Sequence, residues 1–332
     1  MRTWSIVIAV SLASCVCLGA RWERKLEIKP AGGVSLRAQG APRLGGRAST
    51  RQPYRNITRK GGELAADYGF LNFNSDFITF DYVVSLAALR DYLANFGYTD
   101  ADINDLKNWR NKVHEAAYKN AVEKHYPQAT YDEMLRNIDR EYEIKKKDFF
   151  ASRGFSLSPD NVLSADIPGI VAANRDRMNV VARQLEAVGK QQGYDSEDIV
   201  GAALALVQTG VMYKIPPSKD SNGKYTGGVI PPVAALGEGW GDCDSKSALL
   251  GAILSNWSGM RVLGIAVPGH YLMAICRNPG RGDMFVEYHG FKCVLMEPAG
   301  PAWIAPGMVG SGTRDLINSG QGFELEPFFK ES

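Results

Sequence analysis

Between residues 165 and 296 the hydrophobic positions change period several times, and each change marks an element. Helical spacing over 174–189 and 195–211 predicts two helices, the second with an acidic first turn at Ser196-Glu197-Asp198. Ile215-Pro216-Pro217 ends that pattern, and residues 216–242 read as a Gly- and Pro-rich loop. From Asp244 onward Ala248, Leu249, Ala252 and Ile253 form the apolar face of a third helix. Two strands follow, Arg261 to Val267 and His270 to Cys276, separated by Pro268-Gly269. A hairpin then runs from Phe285 to Met296, with Tyr288-His289-Gly290 at its tip and Glu297-Pro298 at its end. Upstream, residues 64–150 read as mainly helical. Phe77 to Val84 leads into Leu86, Leu89, Leu93 and Phe96, followed by Leu106, Trp109, Val113, Ala117 and Val122. Tyr131 to Phe150 is a charged amphipathic helix with Lys145-Lys146-Lys147 on its solvated face. Residues 30–60 have neither period and read as a linker. The expected class is α+β: a Cys-bearing helix packed on an antiparallel sheet, with an N-terminal, mainly helical extension. The expected divisions are 1–20, 21–62, 63–160 and 161–332.

Charge sharpens these divisions. The chain of 332 residues has a formal charge of +2. Residues 21–60 alone carry +9 and Arg2 adds +1, so the remaining body is −8. A basic disordered linker thus precedes an acidic folded part. Aromatic residues are sparse in the linker, so a solvated spacer is favoured over a nucleic-acid contact, and no specific nucleic acid is expected. Ahead of it, Met1-Arg2, the apolar run Trp4 to Val10 and small residues to Ala20 have the order of an export signal. Leu12-Ala13-Ser14-Cys15 also resembles a bacterial lipobox, which would tether the protein to a membrane through a lipidated Cys15. The expected location is therefore exported: periplasmic, envelope-anchored or secreted.

Loss of the signal would leave Cys243, Cys276 and Cys293, an odd number. Cys243 follows three glycines within six residues, is flanked by Asp242 and Asp244, and opens the predicted helix. A buried small apolar Cys would not be expected in that context. A thiol at a helix start meets the positive end of the dipole and backbone N–H groups able to bind an oxyanion. Such a nucleophile needs a base, and His270 opens a strand just after a tight turn. His289 competes from the hairpin tip; His114 and His125 read as surface residues. The base in turn needs an orienting carboxylate, for which Glu297 at a strand end is preferred over Asp283 in its loop. Cys276 and Cys293 lie on strands that one sheet would make neighbours. A disulfide there would leave Cys243 free, but two buried thiols are the preferred reading, because cross-strand disulfide geometry is demanding.

These stretches, G-D-C-D-S-K-S-A-L-L at 241–250, G-H-Y-L-M-A at 269–274 and M-E-P-A-G at 296–300, resemble the transglutaminase-like superfamily, in particular its bacterial and archaeal cysteine proteases. The resemblance covers about residues 165–310. It implies a papain-like order with Cys243 as nucleophile, His270 as general base and acid, and Glu297 as orienting group where the family more often has Asp. Leu206 to Tyr213 resembles the helix upstream of the family's Cys, which would make Gln208 an oxyanion-hole donor; a solvent-facing helical Gln is the plain alternative. Trp240 is a cleft-wall candidate or a loop anchor. The implied activity is cleavage or transfer of acyl groups at amide bonds of a protein or peptide substrate through a Cys243 thioester. The alternative is a non-catalytic module of the same fold that binds peptide or polymer, tethered to the cell envelope. No cofactor is expected. Calcium at Asp242, Asp244 and Glu238 is left open beside the simpler reading of solvated loop acids.

Overall fold

The computed structural model describes residues 51–329. The expected export signal, its Cys15 and the linker up to residue 50 lie outside them. The described chain opens with three strands, β1 (Tyr54–Lys60), β2 (Glu63–Leu71) and β3 (Phe77–Ser85), paired antiparallel in sequence order. This corrects the expected linker to 62 and the expected helix from 63. The reason is a period of two: Leu64, Ala66, Tyr68 and Phe70 on β2, and Ile78, Phe80 and Tyr82 on β3, are buried at alternate positions. Gly61 and Gly62 form the tight turn between β1 and β2, with φ of 62° and 83°, a region that glycine enters without steric cost. The basic residues of β1 concealed it. Arg59 instead pairs with Glu238 at 2.6 Å, and Arg55 donates to the Gly210 carbonyl at 2.9 Å.

Helices occupy the next stretch as expected: α1 (Leu86–Asn95), α2 (Asp100–Glu123) and α3 (Gln128–Ser152). Thr99 and Asp102 form a reciprocal capping box at the start of α2. The α2–α3 hairpin is tied internally by Arg110 and His114 on Asp139 and by Lys145 over the Trp109 ring. Its base rests on rings contributed by Tyr98, Phe150, Phe155 and Tyr225.

A short hairpin, β4 (Phe155–Leu157) with β5 (Leu163–Ala165), leads to α4 (Ile167–Asn174), α5 (Asn179–Gln192) and α6 (Ser196–Ala205). A wider, π-type turn, Leu206–Gly210, continues α6. Then come β6 (Met212–Tyr213), α7 (Pro232–Glu238) and β7 (Trp240–Gly241), the two strands pairing in parallel. Next is α8 (Cys243–Leu254), then β8 (Val262–Val267), β9 (His270–Cys276), β10 (Phe285–Tyr288), β11 (Phe291–Met296), α9 (Ser311–Asn318) and β12 (Glu324–Pro327). The five last strands form an antiparallel sheet in the order β10-β11-β9-β8-β12. The fold is α+β.

Both faces of that sheet are covered. Val262, Met273, Ile275, Val294 and Met296 join one core with α5, α6, α7, α8 and the three-stranded sheet. Leu263, Ile265, Leu272, Ala274 and Leu295 point the other way, toward Val309 and Ile317 of the C-terminal segment. Helix α8 lies inside the first core, and its ten residues from Ser245 to Leu254 are all buried. A helix surrounded on all sides is apolar on all sides, save where a polar group has a partner. No helix among the described residues is long and apolar enough to cross a membrane.

Candidate active site

Three segments meet where α8 begins. The first is the start of α8 itself. Asp242 is its N-cap, and its carboxylate accepts the Ser245 N–H at 3.0 Å and the Ser245 hydroxyl at 2.6 Å. Gly241 permits this close turn, since a side chain there would begin 2.8 Å from the Ser245 Cβ. Cys243 is therefore the first helical residue, as the sequence predicts. The N–H groups of Cys243 and Asp244 have no acceptor among the described residues.

The second segment is the start of β9. His270 sits at its first position, half-buried, and the next residue, Tyr271, directs its backbone N–H to the Cys243 sulfur. His270 and the thiol thus belong to one small region. The third segment is the end of β11. Met296 lies opposite Met273, so the register carried one residue further sets Glu297 diagonal to His270 on the same face of the sheet. The His270 Nε2 lies 3.1 and 3.3 Å from the two Glu297 oxygens. Thr313 of α9 donates its hydroxyl to Glu297 Oε2. A ring whose Nε2 is held by a carboxylate keeps Nδ1 for a second partner. His289 is at the β10–β11 hairpin tip, with φ of 48°, and Asp283 is held by Arg277 at 2.9 Å and the Gly280 N–H at 2.8 Å.

Gln208 is where the structure departs most from expectation. It is neither an exposed helical Gln nor an open donor, being 1% exposed. Its Nε2 donates to the carbonyls of Glu297 at 2.7 Å and Ile304 at 2.9 Å, and its Oε1 accepts the Ile304 N–H at 2.9 Å. Both N–H bonds are spent on backbone, so Gln208 clamps the loop behind Glu297 and has none left for an oxyanion. Trp240 is half-buried on β7, with the Lys214 ammonium 4.4 Å above its ring.

The electrostatics also differ from a simple helix-dipole picture. Burial, then the charges of Asp244 and Asp242, push the Cys243 thiol well above its ordinary range; the Tyr271 N–H opposes this only in part. The thiol donates to Asp244 Oδ1 at 3.5 Å. Asp244 is itself raised to about 6, by burial first and the charge of Asp242 second. The resting site therefore holds a neutral thiol.

Sequence reasoning missed three participants. Thr313 carries no signal in the chain. Tyr213 sits opposite Gly241 on β6, and its hydroxyl is raised by burial and then by Cys243, Asp242, Asp244 and Glu297. Lys246, a cation on the helix whose apolar face is Ala248, Leu249, Ala252 and Ile253, was a visible anomaly. The disulfide reading is also corrected. Cys276 and Cys293 are directly paired across β9 and β11 and are bonded to each other, which leaves Cys243 as the free thiol among the described residues. Of the three acids considered for calcium, Glu238 pairs with Arg59 at 2.6 Å. Asp242, Cys243 and Asp244 each bring an atom within 4.8 Å of the others, a cluster that assigns no ion by itself. No protein-family model, curated protein or solved structure matches the chain.

Proposed function

We propose that this chain is an exported thiol-dependent enzyme of transglutaminase-like architecture that cleaves or transfers acyl groups at amide bonds of protein or peptide substrates. The observation that carries the reading is the convergence of Cys243, His270 and Glu297 at one end of the five-stranded sheet, with His270 bonded to the carboxylate at 3.1 Å. Because burial favours the neutral thiol, His270 acts as a general base that takes the Sγ proton as sulfur attacks, not as half of a standing ion pair. Sulfur bonds to the carbonyl carbon, and the oxyanion lies against the free N–H groups of Cys243 and Asp244. His270 then returns the proton to the leaving amine, giving a thioester that water or an amine resolves. Glu297, fixed by Thr313, orients the ring and stabilises its cationic form.

The burial of the thiol between two carboxylates favours the second reading, a binding module with an idle cysteine. An activated ester separates the two without knowledge of the substrate. p-Nitrophenyl acetate is expected to acylate Cys243, detected by peptide mass spectrometry, and His270→Ala to slow this by about 10²–10⁴-fold. Equal acylation of the wild type and His270→Ala, or none in either, excludes the enzyme reading.

A further inference from the structure

Lys246 lies one turn beyond Cys243 on α8 and is 0% exposed, the only lysine or arginine among the buried described residues. A buried ammonium without a counter-charge is costly and is kept only where its surroundings compensate it. Its Nζ donates to the carbonyls of Val211 at 2.9 Å and Gln208 at 3.4 Å, at the end of the π-type turn. No carboxylate lies within ion-pairing range of it among the described residues. Glu297 is nevertheless the acid whose charge acts on it, opposing the burial that lowers the ammonium to about 8.

The loop after Glu297 closes over this ammonium. A Cβ on Gly300 would stand 3.1 Å from the Lys246 Nζ and 2.4 Å from the Gln208 carbonyl. Lys246 therefore touches the segment that clamps Glu297 while leaving the Glu297 oxygens to His270 and Thr313. The titratable groups around Cys243, one turn back on the helix, are mostly acids: Asp242 and Asp244 flank it, with Tyr213 on β6 and His270 on β9 close by. A second acidic group, Glu326 with Asp166, gathers around the Tyr271 hydroxyl.

We propose that Lys246 is a positioning residue of the thiol site: its buried charge, held beside the Glu297 loop, offsets the acids that flank Cys243 so that negative charge can form on the sulfur. This rests on the thiol-enzyme reading. A lysine that merely fills space would contribute stability alone. A lysine that supplies charge sets the pH at which Cys243 reacts, because removing a nearby cation raises the pKa of every acid facing it.

The test is the rate of Cys243 alkylation by iodoacetamide between pH 5 and 10, followed by peptide mass spectrometry on the full chain. Lys246→Met removes both charge and hydrogen bonds. Lys246→Gln keeps a donor for the two carbonyls and covers the case in which the Met variant does not fold. In both, the rising limb of the profile is expected to move upward by about one unit, so that alkylation is about tenfold slower at a given pH. Variants that lose thermal stability but keep the wild-type profile overturn the assignment of Lys246. A His270→Ala profile identical to wild type overturns the thiol-enzyme reading instead, so the two failures are distinguishable.

Discussion

The α2–α3 hairpin and helix α8 are both helical, yet almost nothing else about them is alike. The hairpin is long and charged, and its buried residues are Ala117, Ala121, Ile138 and Phe150. It is held by a capping box, ion pairs and its own two-helix seam. Helix α8 has 12 residues and is buried from Ser245 onward, yet it carries Cys243, Asp244, Ser245, Lys246 and Ser247 in succession. On the hairpin, polar residues are what solvent permits. In α8 each polar group needs a named partner, and those partners are the parts of the candidate site: Asp242 for Ser245, the turn carbonyls for Lys246, the Tyr271 carbonyl for Ser247. Polarity on an exposed helix says little about function, whereas polarity inside a core is expensive enough to require a reason.

This contrast predicts a graded response to substitution. Leu250→Ala, in the middle of α8 with no exposure, is expected to cost about 2–5 kcal/mol, read from urea unfolding. Gln208→Ala comes next. It would strip partners from the Glu297 and Ile304 carbonyls and the Ile304 N–H, for about 2–4 kcal/mol. Any rate loss would follow from a loosened Glu297. If the variant instead stays fully stable and acylation alone falls, Gln208 is an oxyanion donor after all and the clamp is wrong.

What was legible in the chain follows the same division. The apolar runs of β8, β9 and β11 and the Gly-rich approach to Cys243 were readable, because short strands and helix starts are local. So was the placement of His270 and Glu297 at strand ends. The three-stranded sheet was misread although Leu64, Ala66, Tyr68 and Phe70 alternate cleanly, because Arg55, Arg59 and Lys60 gave β1 the composition of a linker. The role of Gln208 was not readable at all. Its partners at Glu297 and Ile304 lie some 90 residues away and are backbone atoms, which leave no trace in side-chain pattern. The Cys276–Cys293 bond depended on a register that only the folded sheet fixes.

A third effect, of intermediate size, probes the buried acids behind the site. Glu326 accepts the Tyr271 hydroxyl at 2.5 Å and is raised to about 7 from 4.5, by burial above all. An acid with a raised folded pKa binds its proton more tightly in the native state. Its contribution to stability therefore falls as pH rises from about 4.5 to 7 and is constant above that window. Asp244, raised to about 6, acts with the same sign over a lower range. Glu326→Gln is expected to remove about 1–3 kcal/mol of this decline, measured as the difference in unfolding free energy between pH 5 and pH 8. A variant with the wild-type slope would mean that Glu326 is not the titrating group.

The smallest effect belongs to the hairpin's outward face. Tyr118 is 57% exposed and meets the Tyr131 ring edge-on at 6.2 Å, while Val122 and Ile144 are exposed at 55% and 54%. Tyr118→Ala is expected to change unfolding free energy by less than about 0.5 kcal/mol, as for other surface positions without special contacts. The measurement is informative because the same tyrosine inside α8 would have no room and no partner for its hydroxyl. A loss above about 1 kcal/mol, and one that grows with protein concentration, would show that this face is covered in solution. The hairpin would then resemble α8 after all, with its exposed apolar residues set by a partner in place of water.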